Sequence, residues 1–245
     1  TLDITVSPVN DSPVALVDTN STNEDIALTV SSSNGLLKND SDPENDPLTV
    51  TKFTINGTVY TAGDAATIAE GIIKINSDGS YSFTPALNYN GTVPVVNYTI
   101  SDGTNTANST LTLSINPIND VPTAIADNNV TTEDVTLTVT ALDGVLKNDS
   151  DIDGDVINVT GFVVESTSYL AGETATITGG TITLNSNGSY TYVPSTNFNG
   201  AVPQVTYTIT DGVSTASTTL DINVTPVNDS PLALVDTNVN VLFAV

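Results

Sequence analysis

Apolar and small polar residues alternate with a period of two along most of this chain. VTLTVTA, VINVTGFVV, TITLN, SYTYVP, VTYTIT and TTLDINV each place valine, isoleucine, leucine or tyrosine near every second position. Such alternation belongs to strands that bury one face and wet the other. Between the runs lie turn sequences such as NSDGS (Asn76 to Ser80) and NSNGS (Asn185 to Ser189), where glycine and asparagine supply the positive φ of a tight hairpin. No stretch carries a 3.6-residue apolar period. The pattern predicts an all-β chain of short antiparallel strands.

The strands recur as a block. PVNDSP at Pro8 to Pro13 returns as PINDVP at Pro117 to Pro122 and as PVNDSP at Pro226 to Pro231, an offset of 109 residues both times. At that offset residues 10–118 and 119–227 align without a gap and agree at about half their positions, so each is read as one structural unit. About seven strands in a block of this length point to a two-sheet, immunoglobulin-like sandwich. Residues 1–9 copy the last strand of a block and are expected to end a preceding repeat. Residues 228–245 begin as a third repeat and then depart from the pattern, so they are that repeat's start or a terminal tail.

Composition changes the picture in one direction. Asp and Glu total 28 against 4 Lys and Arg, with no histidine or cysteine, for a formal charge of -24. A chain so acidic repels nucleic acid and anionic lipid, and no run is apolar enough to insert in a membrane. Cations are its natural counter-ligands. Without cysteine there is no disulfide staple, which for a secreted module calls for some other brace. Histidine, cysteine and any singular acid–base pair are missing, so no catalytic function is expected, and a hydrolase is the least favoured reading.

The acids are gathered. Asp149, Asp151, Asp153 and Asp155 occupy alternate positions in the loop between the second and third strands of the second repeat, and Asp40, Asp42, Glu44 and Asp46 fill the first repeat's loop. Asp102 and Asp211 follow the strands YTIS and YTIT in DG turns, and Asn10 with Asp11, Asn119 with Asp120 and Asn228 with Asp229 stand in the linkers. In a sandwich these three groups share one end of the domain. The ED pairs, Glu24–Asp25 and Glu133–Asp134, sit at the other end, so Glu24 is expected to join Asn119, Asp120 and the Asp149 loop at the junction. Carboxylates gathered without arginine or histidine repel one another unless a cation lies among them. Calcium, which takes six to eight hard oxygens in loose geometry, suits this set, whereas zinc prefers nitrogen or sulfur. The loop is not an EF-hand, because Thr160 stands where the bidentate glutamate belongs. Lys38 and Lys147 precede the acidic loops and are expected to pair with them, and the strand tyrosines are read as core or tyrosine-corner residues.

Taken together, the ND.P linkers, the ED pair, LKNDSD followed by alternating acids, GSYTY.P, NFNG and YTITDG resemble the cadherin-like tandem repeats of large bacterial surface proteins and adhesins. The resemblance covers nearly the whole chain. It implies a string of β-sandwiches at the bacterial cell surface in which the ED glutamate, linker ND, DxD loop and post-strand aspartate ligate interdomain calcium. The partners it implies are calcium ions, neighbouring repeats of the same chain, and a host or cell-surface glycan or protein met through other domains. Pro43, Glu44 and Asn45 stand where the second repeat has Ile152, Asp153 and Gly154, which puts the first loop's ligation in doubt. Two functions follow: an extender held straight by calcium, or a calcium-dependent module for carbohydrate or homophilic adhesion.

Overall fold

The structure is a computed structural model describing residues 2–231 except Val6 and Pro8. The chain divides at the Ile118–Asn119 bond into two compact units. Among the described residues each unit has ten strands, more than the seven or so read from periodicity, because two-residue and four-residue edge strands carry too few positions to show a period.

In the first unit one sheet runs in the order β1 (Asp18–Asn23), β10 (Thr106–Asn116), β9 (Val96–Ser101), β3 (Thr49–Ile55) and β4 (Thr58–Thr61), with β8 (Gly91–Thr92) paired to β10. The facing sheet runs β2 (Leu28–Val30), β7 (Tyr81–Pro85), β6 (Gly71–Ile75), β5 (Ala65–Ile68). Strand β1 lies parallel to β10, with Asp18 opposite Leu111, and the remaining pairs are antiparallel. The apolar positions of the period-two runs meet between the sheets, where Phe53, Ile73, Phe83, Tyr98 and Leu111 are fully buried. The hairpin tip at Asn76 to Ser80 closes with Ser80 O accepting from Asn76 N at 2.9 Å. There Gly79 takes φ +79°, and a Cβ would meet Leu37 Cγ at 2.8 Å, so both backbone and space demand glycine.

The second unit repeats the plan. Its sheets are β11 (Asp127–Thr132), β20 (Thr215–Thr225), β19 (Val205–Thr210), β13 (Asn158–Val164), β14 (Thr167–Leu170), with β18 (Gly200–Ala201) on β20, and β12 (Leu137–Val139), β17 (Tyr190–Pro194), β16 (Gly180–Leu184), β15 (Thr174–Ile177). Phe162, Ile182, Tyr192, Tyr207 and Leu220 fill its core.

Leu2, Asp3, Ile4 and Thr5 form no strand, whereas their copies in β20 pair with β19 and β11. The expected third repeat lies outside the described residues from 232 onward.

Candidate metal centre

In each unit the segment entering the sandwich is pinned to the acidic loop by a two-residue bridge. Thr123 and Ser150 exchange both backbone hydrogen bonds, at 2.7 and 3.1 Å, and Val14 and Ser41 do the same at 2.8 and 3.1 Å. Beyond Ser150 the loop curls back on itself, because Asp151 Oδ1 accepts from the backbone N–H of Asp153 (2.9 Å) and of Asp155 (3.3 Å). The curl brings one carboxylate oxygen each of Asp151, Asp153 and Asp155 within 4.8 Å of the others. Asp153 Oδ2 also accepts from the backbone N–H of Asp120 at 2.8 Å, so the linker and the acid loop are one structure.

The first unit builds the same loop from different residues. Asp42 Oδ1 accepts from Glu44 N at 2.9 Å and Asp46 N at 3.1 Å, and Glu44 Oε2 takes the Asp11 N–H at 3.2 Å. Glu44 thus does what Asp153 does, with a longer reach. The doubt over ligation attached to Pro43, Glu44 and Asn45 stands: the hydrogen-bonding frame survives the change, but among the described residues Asp42, Glu44 and Asp46 do not gather their oxygens as Asp151, Asp153 and Asp155 do.

Asp40 and Asp149 leave this group. Asp149 Oδ1 accepts from Ile125 N at 2.7 Å and its Oδ2 lies 3.4 Å from Tyr207 Oη; Asp40 Oδ1 accepts from Leu16 N at 2.8 Å. Tyr207 donates to Asp127 Oδ2 at 2.7 Å, and Tyr98 to Asp18 Oδ2 at 2.7 Å, so these tyrosines are core residues tied to the first strand of each unit and not tyrosine corners. Burial pushes the carboxyls of Asp18, Asp40, Asp127 and Asp149 above the ordinary carboxylate range, with the Asp127–Asp149 and Asp18–Asp40 repulsions adding to it. Desolvation, with the neighbouring carboxylates, likewise drives both tyrosines far up. Three of the four loop acids gather and Asp149 stands apart, because Ser150 ends the extended segment and positions on either side of it face different neighbours. Asp18 and Asp127 were missed, and their only sequence signal is an aspartate opening the first strand of each repeat.

Asp102 and Asp211 join the linker as expected. Asp211 Oδ1 accepts from Val213 N and Ser214 N, each at 2.6 Å, and its Oδ2 accepts from Asn119 Nδ2 at 3.0 Å. Asp102 Oδ1 takes Thr104 N and Asn105 N, each at 2.6 Å, and its Oδ2 takes Asn10 Nδ2 at 2.9 Å. These bonds hold both carboxyls below the usual range, the Asn119 amide contributing most at Asp211 and the Thr104 N–H most at Asp102. At the far end of each unit the ED pair divides. Glu24 accepts from Ile118 N and Asn90 Nδ2, and Glu133, only 4% exposed, from Val227 N (2.5 Å) and Asn199 Nδ2 (3.0 Å). Asp25 and Asp134 take φ of 59° and 61° and accept from Asn88 N and Asn197 N instead. Asn228 and Asp229 are exposed, with Asn228 Nδ2 3.5 Å from Asp229 O.

The lysines do not reach the acid loops. Lys147 pairs with Asp143 four residues back at 2.7 Å, and Lys38 donates to Asn34 Oδ1 at 3.0 Å, both on the exposed surface.

The donor set fits calcium. Asp151 Oδ2 and Asp42 Oδ2 are buried oxygens without a hydrogen-bond partner, and Asp42 is only 8% exposed. A buried anionic oxygen without a donor is costly unless a cation meets it. Every available ligand here is a hard oxygen, the kind calcium takes.

Human protocadherin-24 EC1-2 superposes on this chain with a TM-score of 0.52 at 17% identity, covering 90% of this chain and 100% of that one. Its second crystal form gives 0.51 at 18%, with 87% and 95% covered. These likenesses establish the fold. An endo-fucoidan hydrolase of glycoside hydrolase family 107 also matches, at TM-score 0.32 and 17% identity, and this chain spans about 30% of its length. No curated protein matches the sequence. Among the described residues no helix is long and apolar enough to cross a membrane. The profile of the bacterial cadherin-like domain matches residues 10–117 and again residues 119–226, and the chain belongs to that family as two tandem copies.

Proposed function

We propose that these repeats are calcium-stiffened extender modules of a bacterial cell-surface adhesin, holding a distal binding domain away from the cell. The observation that carries the reading is the double engagement of Asp153: its carboxylate belongs to the acidic trio and also grips the linker at Asp120 N. An ion bound by the trio is therefore linked to the conformation of the segment entering the unit. Ligand that binds only the ordered linker stabilises that order by mass action.

The proposed ligands at the start of the second unit are Asn119, Asp120, Asp151, Asp153 and Asp155. Asn10, Asp11, Asp42, Glu44 and Asp46 serve the first unit, and Glu133 with Asn228 and Asp229 serve the next junction. Calcium near millimolar levels outside a cell suits sites of modest affinity, and it replaces the disulfides this chain lacks as a brace. No step of this role asks for catalysis.

Small-angle scattering and thermal unfolding of the chain, in calcium and in EDTA, test it. Chelation is expected to shorten the maximum dimension and lower the unfolding midpoint. If neither quantity moved on chelation, the reading would be abandoned.

A further inference from the structure

The exit of each unit is held by a clasp built from the chain's own donors and acceptors. Strand β10 ends at Asn116 and β20 at Thr225, and each is followed by a proline, which has no N–H to give. The next donor along the chain is Ile118 N in the first unit and Val227 N in the second. The partner strand does not receive it. Glu24 N still meets Asn116 O at 3.0 Å, and Glu133 N meets Thr225 O at 2.9 Å, but the left-handed Asp25 and Asp134 then turn the chain away. The glutamate side chain takes over as acceptor: Glu24 Oε1 receives the Ile118 N–H, and Glu133 Oε1 receives the Val227 N–H at 2.5 Å.

Both glutamates are almost wholly buried, at 3% and 4% exposure, and among the described residues no ion pair reaches either. A buried carboxylate is tolerated only where donors meet it. The second oxygen meets the NYNG and NFNG loops: Oε2 accepts from Asn90 Nδ2 at 3.4 Å in the first unit and from Asn199 Nδ2 at 3.0 Å in the second. Each loop is itself fixed at both ends. Asn88 N and Asn197 N donate to Asp25 Oδ1 and Asp134 Oδ1 at 2.9 and 3.0 Å. Gly91 and Gly200, at φ of 121° and 111°, pair with Ile115 and Val224 of the long strand. The ED pair and this loop therefore hold each other at two points, and an amide set by the loop sets the glutamate.

We infer that Asn90 and Asn199 are positioning residues: each fixes the ED glutamate so that its other oxygen latches the outgoing linker, with or without calcium. The latch stands apart from the calcium reading and does not compete with it. A carboxylate offers about four acceptor sites, of which two are taken here, so Glu133 keeps lone pairs for the ion proposed at the next junction. Within one unit the two ends are thus ordered differently. The incoming segment is tied to the acid loop where the cation is proposed, whereas the outgoing segment is ordered by the fold itself.

Amide hydrogen exchange on the whole chain, followed by NMR in EDTA and in calcium, tests this. The Ile118 and Val227 N–H groups are expected to be protected in EDTA. Asn199→Asp replaces the donor facing Glu133 Oε2 with an acceptor. It is expected to speed Val227 exchange about ten- to a hundredfold, the effect of losing a hydrogen bond to a charged group. Adding Glu133→Gln to Asn199→Asp exchanges donor for acceptor: the new amide oxygen can accept from Val227 N–H while its NH2 donates to the new carboxylate. The paired variant is expected to regain most of the lost protection, a coupling that two independent structural defects would not give. Val227 protected only in calcium, or equally protected in the parent and in Asn199→Asp, overturns the inference, as does a paired variant no better than the single one. Should Asn199→Asp fail to fold, the paired variant is read against the parent: a folded chain with Val227 protected supports the latch, and an unfolded chain or an unprotected amide overturns it. A parent that binds no calcium yet protects Val227 removes the proposed function and supports the latch.

Discussion

Replacing Asp151 with asparagine is expected to change the sign of its effect with calcium. Without the ion, one oxygen each of Asp151, Asp153 and Asp155 lies within 4.8 Å of the others, and no lysine reaches the loop. Two unit charges at that separation repel by about 1 kcal/mol in water and by about 3.5 kcal/mol at an effective dielectric constant near 20. Asp153 and Asp155 are exposed, so the water value governs. Asp151→Asn removes two of the three repulsions, about 2 kcal/mol at low salt and less as screening grows. The asparagine carbonyl still accepts the Asp153 and Asp155 N–H groups, and its NH2 can donate to the two remaining carboxylates. Metal-free, the second unit of the variant should therefore unfold some 4–8 °C above the parent, from about 4 °C per kcal/mol for a domain of this size. In calcium the order reverses, since each tenfold loss of affinity removes about 1.4 kcal/mol of binding-linked stability at saturation. The assay is thermal unfolding by calorimetry in EDTA and in millimolar calcium, in low-salt buffer. A variant less stable than the parent in EDTA would refute the reasoning, because the loop carboxylates would then be a stabilising network in their own right.

Burial raises the Asp127 and Asp149 carboxyls, so the folded second unit holds protons more tightly than the unfolded chain and its stability falls as pH rises through the shifted range. Asp127→Asn, which can still accept from Tyr207, is expected to flatten that decline in urea titrations run from the ordinary carboxylate range up to neutrality. The hairpin joining β13 and β14 puts Glu165 and Ser166 at φ of 48° and 64°, where the first unit has Asn56 and Gly57 at 50° and 78°. Left-handed backbone costs most L-residues about 1–2 kcal/mol each, offset here in part by Thr178 N donating to Glu165 Oε1 at 3.2 Å. Glu165→Asn with Ser166→Gly should therefore stabilise the second unit by about 1–2 kcal/mol, and Asn56→Glu with Gly57→Ser should cost the first unit a similar amount, both read by urea denaturation.

The repeat, the period of two and the hairpin glycines were legible because each is a local rule written in residue type. Gly79 and Gly188 both take φ of 79° in tips that the sequence marks as NSDGS and NSNGS. The gathering of acids was legible only in outline. Reading Asp149 to Asp155 as one alternating set assumes an extended chain, whereas Asp151 draws in two backbone N–H groups and curls the loop. Asp149 stays behind the curl, beside Tyr207 and Asp127. That partnership joins residues 58 and 80 positions apart from the tyrosine, beyond any local pattern. The split within the ED pair was hidden for a different reason: Asp25 and Asp134 adopt a left-handed backbone that a non-glycine residue does not announce.

The two acid loops differ at three successive positions, and each difference preserves a physical requirement. Gly154 takes φ of 80°, and Asn45 at the same place takes 61°, asparagine being among the L-residues that best tolerate that region. Glu44 replaces Asp153 and still reaches the linker N–H, at 3.2 Å against 2.8 Å. Pro43 replaces Ile152 at a position for which no hydrogen bond is needed by the curl, whose donors are the N–H groups two and four residues after the anchoring aspartate. What holds the loop, then, is the placement of one anchoring carboxylate, one left-handed residue and one carboxylate able to grip the linker. Residue identity is free within those limits. On this argument the first unit's loop keeps the hydrogen-bonding frame of the second's, but among the described residues its acids do not gather as Asp151, Asp153 and Asp155 do, so its affinity for calcium, read by titration calorimetry, is expected to be the weaker of the two.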